Sequence, residues 1–219
     1  RTATFTESVI REMSRIAAQH EAINLAQGFP DFPMPEPMKD AACAAIHGDI
    51  NQYAVTWGSA AMRIAIAEKY RRWYQMEVDK DTEVTVTCGA TEAMASVFMA
   101  LIDPGDEVIV PPYTFIATVN AVLRFHAVPI FVDVDAKTLQ MDASKLEAQI
   151  TPRTKAIIMV HMAGGVGELG KVLEIGKRRG IPVIEDAAQA HLAEWEGKHV
   201  GTHGTMGCFS FQASKNLNS

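Results

Sequence analysis

A chain of 219 residues, 48% apolar and 21% charged, carries enough material for one sizeable buried core, which argues against a disordered tail or a disulfide-built miniprotein. A formal net charge of −6 argues against a nucleic-acid partner, because neutralising phosphates takes clustered Lys and Arg. Three scattered cysteines make neither a disulfide framework nor a zinc site, and no apolar run reaches the roughly 18 residues of a membrane span, so the expectation is a cytoplasmic chain without metal or membrane.

In chain order, Val9, Ile10, Met13, Ile16 and Ala17 recur at helical spacing and predict an amphipathic helix over 6–19. The Gly/Pro-dense stretch Gln27-Gly28-Phe29-Pro30-Asp31-Phe32-Pro33 reads as an ordered loop. Helices follow near 37–47 and 59–75. From residue 83 short apolar strands alternate with helical patterns. Strands are expected at 83–88, 107–111, 129–134, 155–160, 182–185 and 207–211, with helices near 91–102, 116–125, 143–149 and 168–179. The basic run Lys177-Arg178-Arg179 falls in the last turn of the final helix, where cations complement the dipole. Such alternation predicts βαβ units with right-handed crossovers, hence an α/β fold with a mostly parallel sheet flanked by helices. Residues 1–82 read as an N-terminal arm with helices, and 83–219 as the α/β domain. No secretory leader is visible, and a start at Arg1 reads as processed or truncated.

The residues that carry chemistry fall at the carboxyl ends of the expected strands, where open α/β sheets form their ligand crevice. Asp186 follows the apolar strand before it, and Lys215 lies just past the next strand in Ala213-Ser214-Lys215-Asn216. A carboxylate and an amine facing one pocket are what a pyridoxal phosphate site requires: the lysine forms the Schiff base and the acid keeps the pyridine nitrogen protonated. Glu185 should face the other side of the sheet by strand alternation. Gly89-Ala90-Thr91 turns from a strand into a helix, whose N-terminus offers free N–H groups and a positive dipole end to a phosphate; Thr91 as a plain N-cap is the simpler reading of the same turn. Phe115 is a candidate to stack on an aromatic ring, Gln189 to contact the ring or its hydroxyl, and Ser210 to donate to the phosphate. A competing pattern is Gly165-Val166-Gly167-Glu168-Leu169-Gly170 with Glu185 about 20 residues on, the spacing of a dinucleotide fingerprint. Its glycines start several residues past the expected strand end, which counts against a nicotinamide-dependent oxidoreductase.

These residues resemble the fold type I pyridoxal phosphate enzymes along nearly the whole chain, in two halves. Residues 5 to about 110 are similar to class I aminotransferases of the kynurenine/methionine kind, through Phe5-Thr6-Glu7-Ser8-Val9-Ile10-Arg11-Glu12-Met13, Ile23-Asn24-Leu25-Ala26-Gln27-Gly28-Phe29-Pro30-Asp31-Phe32, Asn51-Gln52-Tyr53 and Gly89-Ala90-Thr91-Glu92-Ala93. From about 111 the chain resembles the DegT/DnrJ/EryC1 sugar aminotransferases, through Pro112-Tyr113-Thr114-Phe115-Ile116-Ala117-Thr118, Val132-Asp133-Val134-Asp135, Glu185-Asp186-Ala187-Ala188-Gln189-Ala190-His191 and Phe209-Ser210-Phe211. The resemblance implies pyridoxal 5'-phosphate as cofactor, Gly28 against the substrate carboxylate, and Tyr53 reaching the phosphate of a neighbouring subunit in a homodimer. It implies Gly89, Ala90, Thr91 and Ser210 at the phosphate, Phe115 stacked on the ring, Gln189 beside it, and Asp186 and Lys215 as the catalytic pair. The implied reaction passes an amino group from a small donor, glutamate or glutamine, to a keto sugar or a 2-oxo acid. The small C-terminal domain of class I enzymes is missing from the sequence, and so is a class I aromatic motif after strand 107–111. An inactive fragment of the same lineage is therefore the third reading beside the transferase and the oxidoreductase.

Overall fold

A computed structural model describes residues 9–26, 32–50, 52–212 and 214–215. The chain divides into two units, residues 1–52 with 212–219 and residues 53–211.

In the first unit, α1 (Val9–Gln19) is followed by α2 (Glu36–His47). Pro35 precedes α2 and Pro37 sits in its first turn, where a missing N–H costs nothing. Gly48 closes that helix by donating its N–H to the Ala44 carbonyl at 2.8 Å. Ser14 of α1 accepts from the Asn24 amide at 3.0 Å, tying the chain after the helix back onto it. The Gln27–Asp31 loop, with Gly28, lies outside the described residues.

The second unit opens with α3 (Ala60–Tyr74) and α4 (Gly89–Leu101). A five-stranded parallel sheet then forms from β1 (Glu107–Val110), β2 (Val128–Phe131), β3 (Thr154–Val160), β4 (Val183–Asp186) and β7 (Met206–Cys208), in the order β2-β1-β3-β4-β7. Its crossover helices are α5 (Ile116–Arg124), the short α6 (Ala143–Leu146) and α7 (Leu169–Arg179). A two-stranded antiparallel ribbon, β5 (Glu194–Trp195) and β6 (Lys198–His199), lies between β4 and β7; it has no counterpart in the strand pattern of the sequence.

The faces of the sheet follow the pleat. Val108, Val110, Ala156, Ile158, Val160, Ile184 and Cys208 pack with Met94, Val97 and Phe98 of α4 and Ala121 and Val122 of α5. Ile109, Ile157, Met159 and Val183 pack instead with Leu146 of α6 and with Leu169, Val172 and Ile175 of α7. Moving from β1 to β2 and then back past β1 to β3 reverses the direction of travel. Right-handed crossovers therefore put α5 on one face and α6 and α7 on the other. The register aligns Val110 with Phe131, Val160 with Asp186, and Asp186 with Cys208, so the carboxyl ends of these strands share one edge.

The expected α/β architecture is the observed one, and the predicted helices are present. The exception is the expected strand at 83–88. This segment has no ladder among the described residues; Val86 donates to the Trp57 carbonyl at 3.0 Å and packs against Gly58, where a side chain would sit 2.5 Å from the Val86 Cβ. One backbone bond to a turn replaces the row of bonds a strand needs, and β7 ends the sheet on that side.

Candidate active site

Asp186 ends β4 on the face covered by α5. Its Oδ2 accepts the Thr118 hydroxyl at 2.8 Å and its Oδ1 accepts the Ala188 N–H at 3.2 Å. Thr118 is 4% exposed, and its oxygen also lies 2.9 Å from the Thr114 hydroxyl. Phe115 caps the start of α5, one turn before Thr118, and keeps its ring 57% exposed. Ala187 donates to the Cys208 carbonyl at 2.9 Å, which joins the exit of β4 to the exit of β7. Two residues beyond Cys208, Ser210 is buried, and its carbonyl bonds the His191 ring at 2.7 Å. The Gln189 side chain accepts the Ala163 N–H at 3.0 Å, which leaves its amide group to point elsewhere.

The start of α4 is built for an anion. Gly89 has φ +77°, the left-handed region that an L side chain rarely adopts, with open space where a Cβ would stand. Cys88 is the N-cap, not Thr91, and it makes no side-chain cap. Glu92 reaches back to the Cys88 N–H, leaving the first-turn N–H groups of Ala90 and Thr91 as donors. Tyr53 is fully exposed at the start of the second unit. Lys215 belongs to the first unit and lies in a turn in which its N–H donates to the Gln212 carbonyl at 2.8 Å.

Glu185 faces away from Asp186, as the alternation requires, and is fully buried. It accepts from the His161 ring at 2.8 Å and from the N–H groups of Gly201 at 2.7 Å, His203 at 2.7 Å and Gly204 at 2.6 Å. Burial alone would raise its pKa, but the bonds from His161, Gly204 and Gly201 outweigh it and hold the carboxyl below its ordinary value. A carboxylate so enclosed has nothing left for a ribose. The glycines of the competing fingerprint are likewise spoken for, because a Cβ at Gly165 or Gly167 would meet the Gln140 side chain at 2.4 or 2.6 Å. Nothing in the structure favours the oxidoreductase.

An acceptor-only carboxylate at a strand end, a helix N-terminus and an exposed aromatic ring form the donor set of a pyridoxal phosphate site, and the residues present fit that cofactor. The fold is that of the pyridoxal-phosphate-dependent transferases. The solved N-succinyldiaminopimelate aminotransferase of Mycobacterium tuberculosis superposes with a TM-score of 0.78 at 36% identity, over 91% of this chain and 54% of that one. The methionine aminotransferase YbdL of Escherichia coli superposes with a TM-score of 0.79 at 29% identity, over 89% of this chain and 53% of that one. Residues 42–219 match the DegT/DnrJ/EryC1/StrS aminotransferase family, and the chain belongs to that family. Among curated relatives, a UDP-N-acetyl-3-dehydro-alpha-D-glucosamine 3-aminotransferase of Acidithiobacillus ferrooxidans is 51% identical over 128 residues, 58% of this chain and 35% of its own length. A probable N-succinyldiaminopimelate aminotransferase of Mycobacterium tuberculosis is 37% identical over 215 residues, 94% of this chain. The chain spans about half the length of that relative, 54%.

Sequence reasoning missed Thr118 and His161 as partners of the two acids. Thr118 stands inside a quoted motif, but only its helix phase against Phe115 hinted that it points at the crevice. His161, the residue after β3, gave no signal of its pairing with Glu185. Among the described residues no cluster of His, Cys, Asp and Glu suits a metal ion, and no helix is long and apolar enough to cross a membrane.

Proposed function

We propose that this chain is the cofactor-binding part of a pyridoxal-phosphate-dependent aminotransferase that moves an amino group from a small amino donor to a keto acceptor. The bound cofactor supplies an electron sink for the carbanion formed at the donor's Cα. Asp186 holds the proton on the ring nitrogen by a charge-assisted hydrogen bond, worth about 1.5–3 kcal/mol in the stronger class of such bonds. Phe115 covers one face of the ring and Gln189 contacts its substituents. Ala90, Thr91 and Ser210 hold the phosphate, with Gly89 shaping the turn and Tyr53 serving the phosphate of a second copy. Lys215 would hold the cofactor through its amine, and the same amine could move a proton at the donor's Cα. Gly28 lies against the donor's carboxylate. Small-molecule substrates and a cytoplasmic homodimer complete the reading. The single observation that carries it is Asp186 at the carboxyl edge of the sheet, fixed by Thr118 beneath the Phe115 helix turn.

The sugar branch is favoured for the acceptor by the 51% identity over 128 residues to the UDP-N-acetyl-3-dehydro-alpha-D-glucosamine 3-aminotransferase, against 37% to the N-succinyldiaminopimelate aminotransferase. The test is a visible absorption spectrum after adding pyridoxal phosphate, followed by borohydride trapping and mass mapping. An adduct on Lys215 that vanishes in Lys215→Ala is the expected result. A folded chain that traps no adduct overturns the reading and leaves the inactive fragment.

A further inference from the structure

We propose that Thr118 is a positioning residue for Asp186, the middle member of a hydroxyl relay running Thr114 to Thr118 to Asp186. The inference rests on the reading of Asp186 as the ring-nitrogen acid. Proton counting fixes the direction of the relay. An ionised carboxylate only accepts, so the single hydroxyl proton of Thr118 goes to Asp186 Oδ2 at 2.8 Å. The 2.9 Å contact between the two threonine oxygens then has Thr114 as donor, in preference to its longer 3.4 Å contact with the Phe115 carbonyl. Thr118 is buried at 4% exposure and Thr114 is partly buried, so water does not replace these bonds freely. With Oδ1 taking the Ala188 N–H, the carboxylate is held on both oxygens by groups from α5 and from its own following turn. Its rotamer is set before any ring arrives. The lone pairs left over are those that can meet a ring N–H.

The titratable group set against Asp186 from the neighbouring strand is the Cys208 thiol, directly across the β4–β7 pairing. Burial first and the Asp186 charge second push that thiol up to about 12, so Cys208 remains neutral and adds no competing charge.

The experiment uses the whole chain and three variants: Thr118→Val, which keeps the shape and removes the hydroxyl, Thr118→Ser, which restores it, and Thr114→Val, which removes only the donor behind it. The carboxyl carbon resonance of Asp186 is followed at one fixed pH by carbon-detected NMR without cofactor. Binding of pyridoxamine phosphate, and of its analogue with carbon in place of the ring nitrogen, is followed by fluorescence. Thr118→Val is expected to move the Asp186 carboxyl resonance, Thr114→Val to move it less, and Thr118→Ser hardly at all. Thr118→Val should weaken pyridoxamine phosphate about five- to tenfold while leaving the nitrogen-free analogue nearly unchanged. An unmoved Asp186 carboxyl resonance in a folded Thr118→Val or Thr114→Val chain overturns the relay. Equal weakening of both ligands overturns the positioning role and leaves Thr118 as packing. If the unaltered chain binds neither ligand, the cofactor reading of the preceding subsection falls. The relay itself is still decided by the Asp186 carboxyl resonance.

Discussion

Two adjacent acids, Glu185 and Asp186, meet opposite environments because a strand sends neighbours to opposite faces. Glu185 is sealed among three backbone N–H groups and the His161 ring. Glu185→Gln keeps the shape but turns an acceptor oxygen into an N–H₂ that faces other donors, and should destabilise the fold by about 1–3 kcal/mol in a denaturant titration. The depressed pKa of Glu185 gives the sign of its pH dependence: its stabilisation is complete above the ordinary carboxylate value of 4.5 and fades as pH falls through the lower folded value. Glu185→Gln should therefore lose less stability than the unaltered chain on acidification below 4.5. At this scale the sequence was legible where a rule of geometry applied. Alternation separated the roles of 185 and 186. The partners were not legible, because Thr118 and His161 reach them across the sheet and no spacing along the chain encodes such contacts.

The elements were legible wherever periodicity was strong, as in α1 and α7, and failed where an element depends on a neighbour. Residues 83–88 have a strand's composition, yet β-propensity describes fitness for a pleated, partnered surface, and here the partner is a turn at Trp57. The ribbon of β5 and β6 was missed for the converse reason: two residues a side carry no readable alternation, and tertiary packing makes them pair. The edge strand β7 shows how little room such contacts leave. A Cβ at Gly207 would lie 1.9 Å from the Gly201 carbonyl oxygen, and one at Gly201 would meet the Phe209 ring at 2.3 Å. Gly207→Ala must push one backbone off another, and we expect a loss of about 3 kcal/mol with a lowered thermal midpoint, against about 1–2 kcal/mol for Gly180→Ala, whose added Cβ meets nothing within 4 Å and which costs only its left-handed backbone at φ +68°. Equal midpoints for the two variants would contradict the close approach.

Across the second unit, α3 is joined to the β6 region by rings: Tyr74 stands edge-on to His199 at 4.6 Å, with Tyr70 at 5.7 Å and Phe209 at 5.4 Å. His199 accepts the Leu192 N–H at Nε2 and donates from Nδ1 to the Val200 carbonyl, both ring nitrogens being used in the neutral form. Burial chiefly lowers its pKa to about 4 from 6.5. A base depressed on folding must pick up its proton in the unfolded chain first, so stability is full above pH 6.5 and declines towards pH 4, by an amount on the order of 2–3 kcal/mol. Urea midpoints measured across that range should fall with pH in the native chain and stay flatter in His199→Gln. A flat native profile would contradict the neutral, buried ring.

The hydroxyl bond between Thr118 and Asp186 joins residues 68 apart. Between them lie β2, β3 and α7, all of which must be docked before the bond exists. Closing so long a segment carries an entropic cost that only later packing recovers, so the acid's final pose belongs to the last stage of folding. During synthesis, α5 leaves the ribosome long before the strand that carries the acid. A nascent chain with β1 and β2 paired still lacks the ring-nitrogen contact altogether. On the proposed reading of Asp186, capture of the coenzyme through that contact would report a sheet complete through β4, and a chain stalled before β4 would escape it.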